Sequence, residues 1–216
     1  MSVMTRYRLA DQLALTAIKI DLHRLDAIDD LWTAYLDSAT PDDVAGQRDE
    51  IDQLAGQLIE ALGSAQGSVE RLRTMLVGTS EDEIESALQE IAQSHPEVEE
   101  AYRRDLAELL GEYSVRGVAI EACIYLEAQL PTEIAVVEEK RRRLLAGEFQ
   151  PGDMSPGAKC ALSGAMLGTK VLDIVMTGGA VSSVLEGAAG LGSFALKWKG
   201  GCGVIAGRIW TRLGGA

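Results

Sequence analysis

The sequence predicts an all-α protein, an antiparallel helical bundle followed by a glycine-rich apolar helical hairpin, and three observations carry that expectation. Apolar residues recur at steps of three and four through the first 150 positions, no segment alternates like a half-buried strand, and the composition changes abruptly after a proline-glycine stretch. The chain has 216 residues, 47% of them apolar and 25% charged, which suits a folded core and not a disordered chain. With only 5% aromatic residues, that core is expected to be built from Leu, Ile, Val and Ala.

The first helix is read from Leu15, Ile18, Leu22, Leu25, Asp29, Trp32 and Leu36, a heptad-like seam interrupted only by Asp29. Thr40, Pro41, Asp42 and Asp43 then supply an N-cap residue, proline at the first helical position and acids in the first turn. The helix they open repeats every seven residues through Val44, Ile51, Leu58, Ala65 and Leu72. Gly63 and Gly67 are expected to kink or split it, because glycine costs ~1 kcal/mol inside a helix.

Ser80 and Glu83 form a capping-box pattern ahead of a short helix carrying Ile84, Leu88 and Ile91, which His95-Pro96 should end. A long helix is expected over Glu97–Leu130, with Val98, Tyr102, Leu106, Leu109, Tyr113, Ile120 and Cys123 inward. Pro131 is expected to start another, closing at Lys140-Arg141-Arg142-Arg143. Helices joined by short connections make an antiparallel bundle. The expected division is a bundle over 1–146, a Pro/Gly linker over 147–158, and a glycine-rich apolar segment over 159–216, made of a helical hairpin plus a short basic amphipathic helix.

Charge follows the same division. Residues 1–150 hold 14 Lys and Arg against 30 Asp and Glu, a net −16, while residues 151–216 hold 6 against 3, a net +3. The overall −13 excludes nucleic acid as a partner, since neutralising phosphates requires a surplus of Lys and Arg. The asymmetry implies different surroundings for the two halves.

In the C-terminal segment two apolar arms, Cys160–Thr177 and Ala180–Leu196, flank Gly178-Gly179. Folded about that pair, they would bring Lys170 roughly opposite Glu186, with Asp173 one turn from Lys170, so that charges costly alone in an apolar phase could pair. Each arm would be about 26 Å long, slightly short of a ~30 Å hydrocarbon layer. Small residues recur four apart at Gly164 and Gly168, at Gly179, Ser183 and Gly187, and at Gly203 and Gly207, a spacing that lets helix backbones approach closely. Over residues 160–207 this composition resembles the glycine-zipper segments of some membrane-active proteins. Trp198 and Trp210, with Lys159, Lys197, Lys199, Arg208 and Arg212, suit a headgroup interface and anionic lipid. The same glycine and alanine spacing also fits a core helix or an oligomer interface in a soluble protein.

Motifs for chemistry are weak. His23 and His95 have no metal-ligand partner at useful spacing. The run Gly164–Lys170 fails as a phosphate loop on spacing and on the order of Thr169 and Lys170, and no strand precedes it. Gly200-Gly201-Cys202-Gly203 lacks a dinucleotide-binding pattern. Cys202 is the most plausible reactive thiol, but no histidine lies within residues 96–216 to activate it. Three cysteines without a CxxC pair argue against a disulfide framework and for a reducing compartment. Met1–Asp11 has no apolar core of a signal peptide, so a cytoplasmic location is expected. The functional expectation is a non-enzymatic protein without cofactor or metal. It would associate with membranes as a toxin-like or defence effector, or else serve as a soluble interaction or scaffold protein whose partner is a second copy or another helical protein.

Overall fold

The computed structural model describes residues 9–94, 114–148 and 154–177. Among these residues there are six helices and no strand: α1 (Leu9–Ser38), α2 (Pro41–Gly46), α3 (Arg48–Gly78), α4 (Glu81–Ser94), α5 (Val115–Leu145) and α6 (Pro156–Thr177). The all-α expectation is met.

Every residue of the α1 seam is buried, Asp29 included. Val44, Ile51, Leu58, Ala65 and Leu72 are buried too. The Thr40–Asp43 capping box forms as the sequence implies, and so does the Ser80–Glu83 box, whose hydroxyl accepts from the Glu83 amide at 3.2 Å. Ile84 is buried; the side chains of Leu88 and Ile91, and His95-Pro96, lie outside the described residues.

Two helix boundaries differ from expectation. The segment after Pro41 breaks at Gln47, and α3 then runs unbroken through Gly56, Gly63 and Gly67. A Cβ at any of these glycines would meet only open space, so they lie where no packing contact is lost. The buried side chains of the opposite face hold the helix across them. In α5 the helix starts at Val115, where Ser114 accepts from the Gly117 amide at 3.0 Å. It then passes through Pro131 without a break. Proline inside a helix removes a hydrogen bond at a cost of about 3 kcal/mol. Here Pro131 faces solvent while Leu126, Leu130 and Val137 anchor the turns on both sides of it in the core. Residues 97–113 of the expected long helix lie outside the described residues.

Cross-helix contacts set the directions of the four long helices. Arg24–Glu60 and Asp21–Ser68 run α1 against α3, and Arg73–Glu127 and Arg141–Asp52 run α3 against α5. In each pair, residue numbers rise on one helix as they fall on the other, the mark of antiparallel neighbours. Helix α6 runs antiparallel to both α1 and α5, through Asp29–Lys159 and Lys19–Asp173 on one side and Glu133–Ser155 and Ala119–Gly168 on the other. Among the described residues the result is an up-down-up-down bundle of four long helices with α2 and α4 attached.

At the end of α3, Arg116 of α5 donates to the Leu76 and Val77 carbonyls, each at 2.9 Å. It satisfies acceptors that a helix end otherwise leaves orphaned. Helix α5 closes on Gly147 at φ +85°, with the Gly147 amide bonded to the Leu144 carbonyl and the Glu148 amide to the Arg143 carbonyl. This is a Schellman ending, which requires the left-handed conformation that glycine adopts without strain.

Residues 154–177 complete the core of the preceding helices. Met154, Ala158, Ala161, Leu162, Ala165, Leu172 and Met176 belong to the same buried cluster as the seams of α1, α3 and α5. The expected linker, 147–158, gives way to helix at Pro156.

Candidate functional site: the polar seat of the apolar helix

Helix α6 has the length and composition of a membrane span, yet 14 of its 22 residues are buried in the bundle. Gly168 allows the closest approach: a Cβ there would sit 3.0 Å from both the Ala119 Cβ and a Leu76 methyl. Gly157 lies against Tyr125, whose hydroxyl occupies the space a side chain would need. Gly164 is buried as well. Within the described residues, then, Gly168 serves contacts with α3 and α5, and Gly157 a contact with α5.

The start of α6 sits in a polar seat made by two buried acids from different helices. Asp29 of α1, 2% exposed, accepts from the Met154 amide at 3.3 Å and pairs with Lys159 Nζ at 3.1 Å. Lys159 also donates to Thr33 Oγ1 at 3.4 Å. Glu133 of α5, 4% exposed, accepts from the Ser155 amide at 3.2 Å and from the Ser155 hydroxyl. Ser155 is in turn the N-cap residue, its Oγ accepting from the Ala158 amide at 3.3 Å and its carbonyl from the Lys159 amide at 3.0 Å.

Why these groups meet here is electrostatic. The first amides of a helix have no intrahelical acceptor, and the N-terminus carries a partial positive charge. The two carboxylates bind the Met154 and Ser155 amides just ahead of the helix and complement that charge, the Ser155 hydroxyl satisfies the Ala158 amide, and Lys159 compensates Asp29. Charges so enclosed are stable only while their partners stay in place. The far end of α6 is tied differently, by Lys19 to Asp173 at 3.1 Å, with each side chain 24% exposed.

The residues singled out from sequence fall into two groups. Gly164, Gly168, Lys159, Lys170 and Asp173 lie on α6; Lys159 and Asp173 pair with α1, at Asp29 and Lys19. Gly179, Ser183, Glu186, Gly187, Lys197, Trp198, Lys199, Gly203, Gly207, Arg208, Trp210 and Arg212 lie outside the described residues, as does Cys202. Sequence reading marked Asp29 only as an interruption and passed over Glu133. The signal for Glu133 is the same one: an acid on an inner seam, here Leu126, Leu130, Glu133 and Val137. The expected restart at Pro131 hid that seam.

Cysteine usage differs from expectation. Among the described residues Cys160 is disulfide-bonded and Cys123 is a free thiol. An odd count leaves one thiol over and does not forbid a single bridge. Burial pushes the Cys123 thiol up to about 12, with the nearby Glu127 carboxylate adding to the rise. Lys140–Arg143 closes α5 as a helix-end basic cluster: Arg142 and Arg143 both bind Glu139, and Arg141 binds Asp52. Hydrogen bonds from Arg142 and Arg143 lower Glu139 to about 2. Among the described residues no group of His, Cys, Asp and Glu side chains is placed to hold a metal ion.

Comparison with known proteins found no match to this chain, whether with family models, curated proteins or solved structures.

Proposed function

We propose that this is a non-enzymatic, membrane-associating protein held in a latent form, of the kind a toxin-like or defence effector would use. In this reading the acidic bundle masks a helix that can enter or perturb a bilayer containing anionic lipid. The observation that carries it is the way α6 is held: a helix of membrane-span length and composition, tied at both ends by charged side chains of the bundle. Apolar packing of similar shape would hold such a helix at least as well as buried ion pairs do. Ionic ties differ in that a change of charge state or an anionic surface can undo them. Asp29 and Glu133 remain with the bundle when α6 leaves, and Lys159 is then available to a phosphate headgroup.

A cytoplasmic location in the latent form belongs to the same proposal. A reducing cytoplasm would keep Cys160 as a thiol, so the disulfide-bonded form carries one covalent restraint more.

A second reading has its own observation. The burial of α6 on several sides, with Gly168 packed on Ala119 and Leu76, suits a soluble interaction or scaffold protein in which α6 is permanent core.

Flotation with anionic liposomes separates the two. Wild type, Asp29→Ala and Leu72→Ala are compared, the last loosening the core without touching the seat. The latent-membrane reading expects Asp29→Ala to float well beyond wild type and Leu72→Ala, with the bound fraction falling as salt rises. If no variant floats, α6 is core and the scaffold reading replaces it; if Leu72→Ala floats equally, general unfolding is the cause.

A further inference from the structure

Helix α1 carries a second apolar seam that faces away from the bundle. Ala10, Leu13, Ala17, Ile20, Arg24, Ala27, Leu31 and Ala34 follow steps of three and four, interrupted only by Arg24. At 3.6 residues per turn this seam points roughly 150° away from the buried one. The exposures agree: Leu13 is 62% exposed, Ile20 61% and Leu31 61%, and the four alanines are exposed as well. A helix with apolar seams on opposite faces is built to be covered on both.

The order of residues identifies the cover. Read from position 10 to 34, the seam is Ala-Leu-Ala-Ile-Arg-Ala-Leu-Ala, and its steps are symmetric about position 22. Reversed, it is unchanged except that Ile20 and Arg24 exchange places. Such a strip is complementary to itself turned end for end, which is the requirement for a two-fold interface.

We propose that the outer face of α1 binds a second copy of this chain, with the two α1 helices antiparallel. In that register Leu13 meets Leu31 of the other copy, Ala17 meets Ala27, and Ala10 meets Ala34. Alternation of Leu with Ala suits a close, interdigitated helix pair, with axes about 8–10 Å apart. The seam spans roughly 36 Å at ~1.5 Å per residue. At the centre, Ile20 lies along the aliphatic stem of the other copy's Arg24, whose head keeps its own Glu60, now 3.3 Å away. A membrane surface is the poorer cover for this face. Between Leu9 and Ser38 the helix carries six aspartates against Lys19 and Arg24, and anionic lipid attracts the opposite charge.

The inference stands apart from the membrane proposal, since it uses none of the residues of the α6 seat. Sedimentation of the full-length protein over a wide concentration range, with Leu13→Glu/Leu31→Glu beside wild type, tests it. Wild type should sediment as a dimer. The double substitution should weaken association about a hundredfold or more while leaving helicity unchanged, because both positions are solvent-facing in one copy. Orientation is read by oxidative cross-linking and mass spectrometry of the linked peptides. A mixture of Ala17→Cys and Ala27→Cys chains should link 17 to 27, and neither chain alone should link to itself at these positions. A monomer at every concentration, a dimer indifferent to the double substitution, or 17-to-17 linkage would each overturn the proposal.

Discussion

The two ends of α6 are tied to the same helix, α1, by the same kind of pair, a lysine and an aspartate, but in different surroundings. At the start, the Asp29 side chain is 3% exposed and serves a backbone amide as well as Lys159, with Glu133 holding the neighbouring residue from the opposite side. At the other end, Lys19 and Asp173 are each 24% exposed. The lesson is that distance does not rank these pairs, for both are 3.1 Å long. Burial and the number of groups left unpaired rank them: an enclosed carboxylate with several dependants fixes where the helix begins, while a partly solvated pair adds little.

Removing Asp29 is the severest way to test that difference. Asp29→Ala takes the carboxylate away from Lys159 and the Met154 amide, and should destabilise the fold by about 3 kcal/mol in urea unfolding. Asp29→Asn, which can still accept from the amide, should recover part of that loss. If Asp29→Ala costs no more than a surface substitution, the two ends are equivalent and the seat is not special.

Next in size is Glu133→Ala, which leaves the Ser155 amide and hydroxyl without their acceptor. It should cost about 1–3 kcal/mol by the same measurement, with Glu133→Gln close to wild type. Opposite both stands Asp173→Asn, expected to change stability by only ~0–1 kcal/mol, and less as salt is added.

Cys123 provides a probe of the core that the two ends share. Its thiol is buried and held neutral, so modification by a thiol reagent at neutral pH should wait for the bundle to open. Modification should speed up in Asp29→Ala and stay near the wild-type rate in Asp173→Asn. The sign with pH follows from the raised value. Stability from burying the neutral thiol is complete below about 9 and is lost as pH rises towards about 12. Glu139 acts in the other direction and is the smallest effect expected. Its stabilisation is present above about 4.5 and is lost as pH falls through about 2. Proton NMR titration of the Glu139 carboxyl would show its low midpoint.

Most of the helical plan was legible because it depends on neighbours in the chain. The α1 seam needed only a three-four period, and Thr40 and Ser80 cap their helices through residues three positions on. Errors came where a local rule met a tertiary constraint. Pro131 breaks a helix by the local rule, but the turns on both sides of it are anchored in the core. Gly63 and Gly67 weaken α3 locally, yet the buried face opposite them carries it through.

By itself the sequence determined the helical class, the inner faces of α1 and α3 and the caps of α2 and α4, since periodicity and capping act within a few residues. It also determined the charge contrast between the acidic bundle and the apolar segment that follows. Only the tertiary structure decided that α6 lies inside the bundle and that Asp29 and Glu133, 104 positions apart, converge on the two residues that lead into it. The physical reason is that an acid on a helical seam reads the same whether it faces water or a buried amide. Which of the two it meets is set by a partner distant in the chain.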